Sequence, residues 1–395
     1  MNDLTKRLLY AMPHSLRRSI LLKGMSLTYE MDPRITFKVA STKEELEGAF
    51  RLLYDAYLRV GLQKPNKQKL RVTPYHALDT TTTIVAMFGD QVIGTLSLIR
   101  FGALGLPSKD LVDYSLRRQR GLQLAEVSAL AVDREFKGKI FVHLIKYMYE
   151  YSVRYMQLDE LIAVIVTNRL AHLFYESVLQ FRPIEGTLHK SYAFGNYQTV
   201  VAESLDLHWA KHRYWDIYGQ MLPSENLYYF FGQYQCSQFQ FPKRPSHFVS
   251  DPVFNGDLFK YFFMERTNVL EEMDGIAKQR LLEKWLGSGQ ANKQSNRAET
   301  NVHGFQVVDD LLVPVSVRNV SKEGFCLHSL DDRIRQLRNT SSEFIFRWGN
   351  GQKVRVKARQ VWANAENYSG YEVLDASESS WLSLNGVEPT KKKVA

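Results

Sequence analysis

The sequence offers little sulfur chemistry. Only Cys236 and Cys326 occur in 395 residues, and two such distant cysteines build neither a disulfide framework nor a metal cluster, which fits a reducing cytoplasm. No apolar run approaches the roughly 20 residues of a membrane-spanning helix, and no signal-peptide pattern opens the chain. No motif for nucleic acid, metal or a redox cofactor is present, so none of these is expected as a partner. Acidic residues are in deficit: 42 Asp and Glu against 51 Lys and Arg give a net charge of +9. That excess favours an anionic partner, such as an acidic protein, a nucleotide or a membrane surface. Disorder is excluded by 45% hydrophobic and 12% aromatic residues, and the length suggests two or three domains with ample core.

The most informative stretch is Leu124 to Tyr151, LAEVSALAVDREFKGKIFVHLIKYMYEY. Leu124, Val127, Leu130 and Val132 predict a strand. Ile140, Phe141, Leu144, Ile145, Met148 and Tyr149 recur at helical spacing. Between them lies a charged turn, Asp133 to Lys139. Strand, turn and helix in that order present backbone N–H groups at a helix N-terminus, a natural anion site. One carboxylate, Glu126, stands inside the otherwise apolar strand.

This stretch resembles the centre of the GNAT acyltransferase fold, whose turn usually reads Arg/Gln-x-x-Gly-x-Gly/Ala and holds a pyrophosphate. Aligned on Lys137, the expected small residues are Ile140 and Val142, which speaks against a tight coenzyme A cradle. A GNAT-like branch does without that cradle: the acyl-homoserine lactone synthases and the N-acyl amino acid synthases, which take acyl groups from acyl carrier protein. Their strand reads roughly Glu-x-Ser-x-Leu-Ala-Val, matched by Glu126, Ser128, Leu130, Ala131 and Val132. The lactone synthases place Arg after the Ser; Ala129 stands there, which favours the amino acid synthases. Downstream, Asn168 and Tyr175 resemble the GNAT Asn and Tyr that contact the pantetheine arm and protonate the leaving thiolate.

Around this centre, Ile35 to Ala40 predicts a first strand. Ser41 is placed to cap a helix over Thr42 to Val60. Tyr57 matches the family's aromatic there, while Leu53 stands where the family has Arg. Thr80–Phe88 and Gln91–Phe101 read as a hairpin, and Asp79 just before it matches the acidic residues that help hold the amine. His76 is a weaker candidate in the same loop. Ser108–Gly121 reads as a helix, Glu160–Thr167 as a buried strand, and Asn168–Phe181 as a second helix; Tyr192–Leu207 supplies the last strands. Residues 1–34 are basic and partly amphipathic. They read either as a helix packed on the catalytic domain or as a docking arm peripheral at the inner membrane.

Residues 211–286 are aromatic-rich and carry no motif. They read as a helical connector, or more sharply as a wall for a long acyl chain. A polar linker, Gly287 to Ser295, follows. Then His303–Val308, Leu311–Arg318, Gly324–His328, Glu343–Trp348 and Lys353–Ala363 predict a small β-barrel. The region 287–384 resembles a PilZ domain, the receptor for cyclic di-GMP, with a basic tail over 385–395. The family's Asp/Asn-x-Ser-x-x-Gly is met by Asn319, Ser321 and Gly324. Its Arg-x-x-x-Arg is met in part by Lys293 and Arg297, where Lys lacks the planar guanidinium fork.

The resulting expectation is an α+β or α/β chain. It comprises a GNAT-like acyltransferase domain over 35–210, a helical connector and a six-stranded PilZ-like barrel. It moves a fatty acyl group from an acyl-carrier-protein thioester to the amine of an amino acid, without a cofactor. Glu126, with Ser128 beside it, is the expected base, acting through a water. A backbone N–H between Ser128 and Leu130 is the expected oxyanion donor, and Tyr175 the acid. Asp79, Tyr57 and Asn168 bind substrate, Arg134, Lys137 and Lys139 meet the carrier protein, and Lys293, Arg297, Asn319, Ser321 and Gly324 meet cyclic di-GMP. Two alternatives are a non-enzymatic cyclic di-GMP receptor on a degenerate acyltransferase fold, and an acyl-CoA-dependent GNAT enzyme.

Overall fold

The structure is a computed structural model. It describes residues 8–23, 25, 27–102, 104–167, 169–192, 196–242, 254–286, 298–308, 311–321, 323–328, 341–347, 353–363, 368–376 and 381. In chain order the first part runs α1 (His14–Lys23), β1 (Ile35–Val39), α2 (Lys43–Arg59), β2 (Thr81–Phe88), β3 (Gln91–Arg100), α3 (Ser115–Gln119), β4 (Leu124–Val132), α4 (Lys137–Glu150), β5 (Glu160–Val166), α5 (Leu170–Ser177), β6 (Arg182–Pro183), β7 (His189–Tyr192) and β8 (Gln198–Asp206). Next come α6 (Leu207–Tyr218), α7 (Leu227–Gly232), β9 (Phe239–Gln240), α8 (Gly256–Phe259) and α9 (Gly275–Leu286). The C-terminal strands are β10 (Ala298–Val308), β11 (Leu311–Val320), β12 (Gly324–His328), β13 (Ser341–Arg347), β14 (Lys353–Ala363) and β15 (Tyr368–Ala376).

One sheet has the order β6-β8-β5-β4-β3-β2-β1-β9, with β7 pairing on β8. Alternation along its strands gives two apolar faces. Ile84, Leu96, Ala125, Leu161 and Leu205 face a core shared with α4, α6 and α7. Val85, Ile99, Leu124 and Ile162 face a second core shared with α2, α8 and α9. The connector is thus built into both cores of the sheet. The short strand β9 pairs parallel with β1, Phe37 opposite Phe239, a junction the sequence reading did not anticipate.

Two local expectations change. The cap of α2 is Thr42, one residue later than expected: its Oγ1 accepts from the Glu45 N–H at 3.2 Å, while the Glu45 carboxylate accepts from the Ser41 N–H at 2.7 Å. This is a capping box shifted by one residue. Ser108–Gly121 forms turns and the short α3, because Ser108 bonds outward to Glu126 and does not start a helix. The two strands of the hairpin and β5 fall within one residue of expectation.

Helix α1 packs on α5 through Arg17, which is buried and bonds Glu176 at 3.1 Å, as the first of the two readings of the N-terminal segment expects. No helix among the described residues is long and apolar enough to cross a membrane. The six C-terminal strands close into an antiparallel barrel, β10-β11-β12-β15-β14-β13, packed around Phe325, Phe344, Phe346 and Tyr371. The barrel touches the sheet region at Gly121. There Arg318 donates to the Gly121 carbonyl at 2.7 Å. A Cβ on Gly121 would lie 2.6 Å from the His328 ring, and its φ is +70°, so no other residue fits this turn.

Candidate active site

Strand β4 pairs with β5 only from Leu124 opposite Glu160 to Val127 opposite Ala163. Immediately beyond, β4 bulges: Ser128 faces Ser97 and Ala131 faces Thr95, so Ala129 and Leu130 together oppose Leu96. Ala129 takes a left-handed φ of 54°, a conformation that costs a non-glycine residue of order 1 kcal/mol. The bulge turns β4 away from β5 and opens a cavity of about 600 Å³ between them. Glu126, Ser128, Tyr57, Tyr175, Arg71 and His76 all line it. The bulge falls on the residues expected to supply a backbone N–H for an oxyanion.

Glu126 is 3% exposed. Its Oε2 accepts from the Ser108 N–H at 2.9 Å and from the Ser108 hydroxyl at 2.6 Å. Among the described residues Oε1 takes no hydrogen bond. Burial pushes the carboxyl up to about 7, opposed by the two Ser108 bonds, so burial outweighs hydrogen bonding here. A carboxyl poised near neutral pH accepts a proton readily and returns it readily. Ser108 is itself held in place. Its Oγ lies 2.6 Å from the Tyr114 hydroxyl, and the flanking carbonyls of Leu106 and Pro107 accept from Tyr75 and Tyr192 at 3.3 and 3.0 Å.

Tyr175, on α5, is buried and packs edge-on against Phe181 at 5.1 Å. Burial raises its hydroxyl well above the ordinary tyrosine value, which keeps the proton in place at neutral pH. Tyr57 lies under the Arg71 guanidinium, 4.6 Å from carbon to ring centroid, and burial raises its hydroxyl too. Arg134 lines the cavity, and Lys139, at the start of α4, is exposed beside Phe136. Lys137 begins α4; its side chain lies outside the described residues, as do Asn168, Lys293 and Arg297.

Asp79 is not brought to the cavity. Its carboxylate pairs with Lys284 of α9 at 2.6 Å, so it fastens the connector to the sheet. In the barrel, Asn319 lies near the end of β11 opposite Glu299. Ser321 is buried, and its Oγ both donates to the Gly324 carbonyl and accepts from the Gly324 N–H at 3.1 Å. Three groups escaped the sequence reading. Ser108 and Tyr114 were hidden by an apparent helix start. Arg71 lay in a basic loop. Thr73-Pro74-Tyr75-His76 was the available signal, because Thr before Pro marks a helical turn that fixes the following His; Thr73 and His76 do form reciprocal cap bonds.

With this geometry in place, residues 48–204 match the family model of the N-acyl amino acid synthase FeeM. The match spans less than half of the chain and is a similarity to that family. No curated protein matches the chain in sequence. Among solved structures, FeeM from uncultured soil microbes is 23% identical, covering 45% of this chain and 93% of its own, with a TM-score of 0.38. BjaI, a CoA-dependent acyl-homoserine lactone synthase solved with SAM and isopentyl-CoA, is 17% identical, with coverages of 53% and 93% and a TM-score of 0.36. A spermidine N-acetyltransferase from Vibrio cholerae is 15% identical, with coverages of 46% and 99% and a TM-score of 0.31. The six strands of the C-terminal barrel lie outside the matched segment.

Proposed function

We propose that this chain is an acyltransferase that joins a fatty acyl group, delivered by acyl carrier protein, to the amine of an amino acid. The observation that carries the reading is Glu126: a buried carboxyl with a pKa of about 7, lining the cavity at the fork of β4 and β5. An amino acid arrives as an ammonium and must lose a proton before it can attack a thioester. Glu126 takes that proton through a water. The amine nitrogen then bonds to the thioester carbonyl carbon, and the bulge backbone receives the developing oxyanion. When the tetrahedral intermediate collapses, the C–S bond breaks, the Tyr175 hydroxyl gives its proton to the leaving thiolate, and the second proton released by the nitrogen restores the tyrosine through water.

Two features support a carrier-protein donor. In the first turn of α4, the Lys139 and Ile140 N–H groups both donate to the Phe136 carbonyl, at 2.9 and 3.1 Å, which withdraws them from a pyrophosphate. Ile140 is fully buried, its methyl 3.0 Å from where a Cβ on Gly94 would sit. The turn also carries Arg134, Lys137 and Lys139, a basic group suited to an acidic protein surface. The barrel is read as a PilZ-like module that senses cyclic di-GMP. Its contact with the catalytic part supports coupling: Arg318, next to Asn319, bonds Gly121 in the turn that leads into β4. The deciding experiment is mass spectrometry of lipids from cells overproducing the chain, followed by assays with acyl carrier protein and acyl-CoA side by side. N-acyl amino acids that vanish in the Glu126→Gln variant are expected. Equal or better use of acyl-CoA overturns the donor assignment, and an unchanged lipid profile overturns the activity.

A further inference from the structure

His76 also lines the cavity, and the chemistry above does not use it. It is 4% exposed and sits in the helical turn Pro74–Ala77. Its Nδ1 lies 3.0 Å from the Thr73 backbone N–H, which can only donate. Nδ1 is therefore the acceptor, and the proton of the neutral ring is on Nε2. Nε2 is buried and has no hydrogen-bond partner among the described residues. Phe50 packs against the ring at 4.7 Å and fixes its plane. Burial, helped by the neighbouring Arg71, holds the imidazole down to about 3. The ring is thus a neutral donor at any working pH and does not serve as the base.

The sheet puts this donor on the same side as Glu126. The Thr81 hydroxyl donates to the Tyr75 carbonyl at 2.6 Å, which ties the turn to the start of β2. Thr81 pairs with Ile99, and Ile99 with Glu126. Residues directly opposite on neighbouring strands point to one face, and two strand spacings come to about 10 Å. Burial, and after it the Glu126 carboxylate, raise the Tyr75 hydroxyl above its ordinary value, which marks how near the turn and the carboxylate sit. One cavity is thus lined by a buried N–H with nothing to donate to and a carboxylate whose Oε1 accepts nothing among the described residues. A complementary pair out of direct reach takes a water between, given room and about two to four polar partners. The cavity of about 600 Å³ has the room, and the ammonium of an acceptor is the third partner.

We infer that the His76 Nε2–H holds the water through which Glu126 takes the proton of the ammonium. That water accepts from His76 with one lone pair and from the ammonium with the other, and it donates to Glu126 Oε1. One N–H bond of the ammonium breaks as its proton joins the water. One O–H bond of the water breaks as its proton joins Oε1. The water is restored, and the nitrogen lone pair is free to attack the thioester. His76 is a positioning residue in this step, and the inference rests on the acyltransferase reading of the cavity. The opposite tautomer would take a hydrogen from the water and leave that lone pair unfixed. The Thr73 N–H therefore governs the geometry of proton removal without touching the substrate.

The test uses the full chain with dodecanoyl-acyl carrier protein as donor. The acceptors are the amino acid recovered from the lipids of the overproducing cells and its aminooxy analogue, which is uncharged near neutral pH and needs no base to become a nucleophile. His76→Asn keeps an acceptor for Thr73 and drops the distal donor. With the amino acid it should lower kcat at least about tenfold with little change in KM. His76→Gln, whose amide N–H reaches the distal position, should recover part of that loss. With the aminooxy acid, His76→Asn and Glu126→Gln should both run near the wild-type rate. An equal loss with both acceptors would overturn the inference by putting His76 at the oxyanion or in the framework, and no loss with either would make it idle. Should His76→Asn fail to fold, nitrogen-15 NMR of the wild type decides: Nε2 should carry the proton over about pH 6–8, and an Nδ1–H tautomer or an imidazolium there overturns the inference. Absence of product from both acceptors with the wild type, the tautomer being as expected, overturns the acyltransferase reading itself.

Discussion

The cavity and the barrel edge both carry sequence motifs, and they treat their polar groups in opposite ways. At the fork of β4 and β5, Glu126 is buried with one oxygen unengaged among the described residues, and His76 keeps an N–H without a partner. In the barrel, Ser321 spends its hydroxyl on Gly324 in both directions. The first arrangement leaves polar groups needing a ligand; the second satisfies them within the turn. A motif match therefore says less than the state of its hydrogen bonds. In the barrel, the Ser and Gly of the motif have a structural task whether or not a nucleotide binds nearby.

Four variants sharpen or break this contrast. The largest effect is expected from Glu126→Gln, which should lower kcat by about 10²–10⁴, the usual weight of a general base. Wild-type activity should rise with pH through about 7, the value to which burial lifts Glu126, as the carboxylate form becomes populated. Stability should show the opposite slope. The folded protein holds this proton up to about pH 7, while the unfolded chain releases it near pH 4.3, so stability falls between these values as pH rises. Glu126→Gln removes that penalty and should be the more stable protein at pH 8, by on the order of 3 kcal/mol in denaturant unfolding. A variant that is inactive yet less stable at pH 8 would make Glu126 a structural carboxylate.

Next in size is charge reversal at the start of α4. Lys137→Glu with Lys139→Glu should raise KM for acyl carrier protein about tenfold at low salt, with a smaller effect on kcat, and the wild-type advantage should shrink at high ionic strength. Steady-state kinetics at two salt concentrations measures this, and a defect insensitive to salt would remove the electrostatic docking idea. In the barrel, Ser321→Ala should cost about 1–2 kcal/mol in unfolding, because it strands the Gly324 N–H. If it instead left stability intact and abolished cyclic di-GMP binding in calorimetry, the barrel edge would resemble the cavity after all. The smallest effect is expected from Asp79→Asn. Its half-exposed pair with Lys284 should contribute less than about 1 kcal/mol, and kcat/KM should barely move. A large rise in the KM for the amino acid would return Asp79 to the amine site.

Much of this was legible in the sequence because it depends on periodicity. The alternating strands, the helical spacing of α4 and the lone carboxylate in β4 follow from side-chain direction alone. The β-barrel was visible as short strands between turns, although its closing strand, Tyr368–Ala376, was not singled out. What stayed hidden depends on contacts between distant residues. Ser108 reads as the start of a helix until Glu126, eighteen positions later, claims it. Asp79 reads as a site residue until Lys284 arrives from α9. The His76 ring is held by the Thr73 backbone N–H at 3.0 Å, and only the folded chain brings it to the cavity wall. None of these is encoded in a period or a dipeptide.

The two-residue strand β9 has a consequence for what counts as a unit of this protein. Phe239 and Gln240 lie along β1, with the Phe37 N–H bonded to the Gln238 carbonyl at 2.9 Å and the Tyr147 hydroxyl to the Gln240 carbonyl at 2.8 Å. They finish the border of a sheet whose family-matched part, 48–204, includes neither β1 nor β9. A gene fragment ending near residue 210 would encode every group of the candidate site, yet it would leave a raw, hydrogen-bonding margin open to other copies of itself. The stretch that matches the family model is thus shorter than the sheet it helps to build.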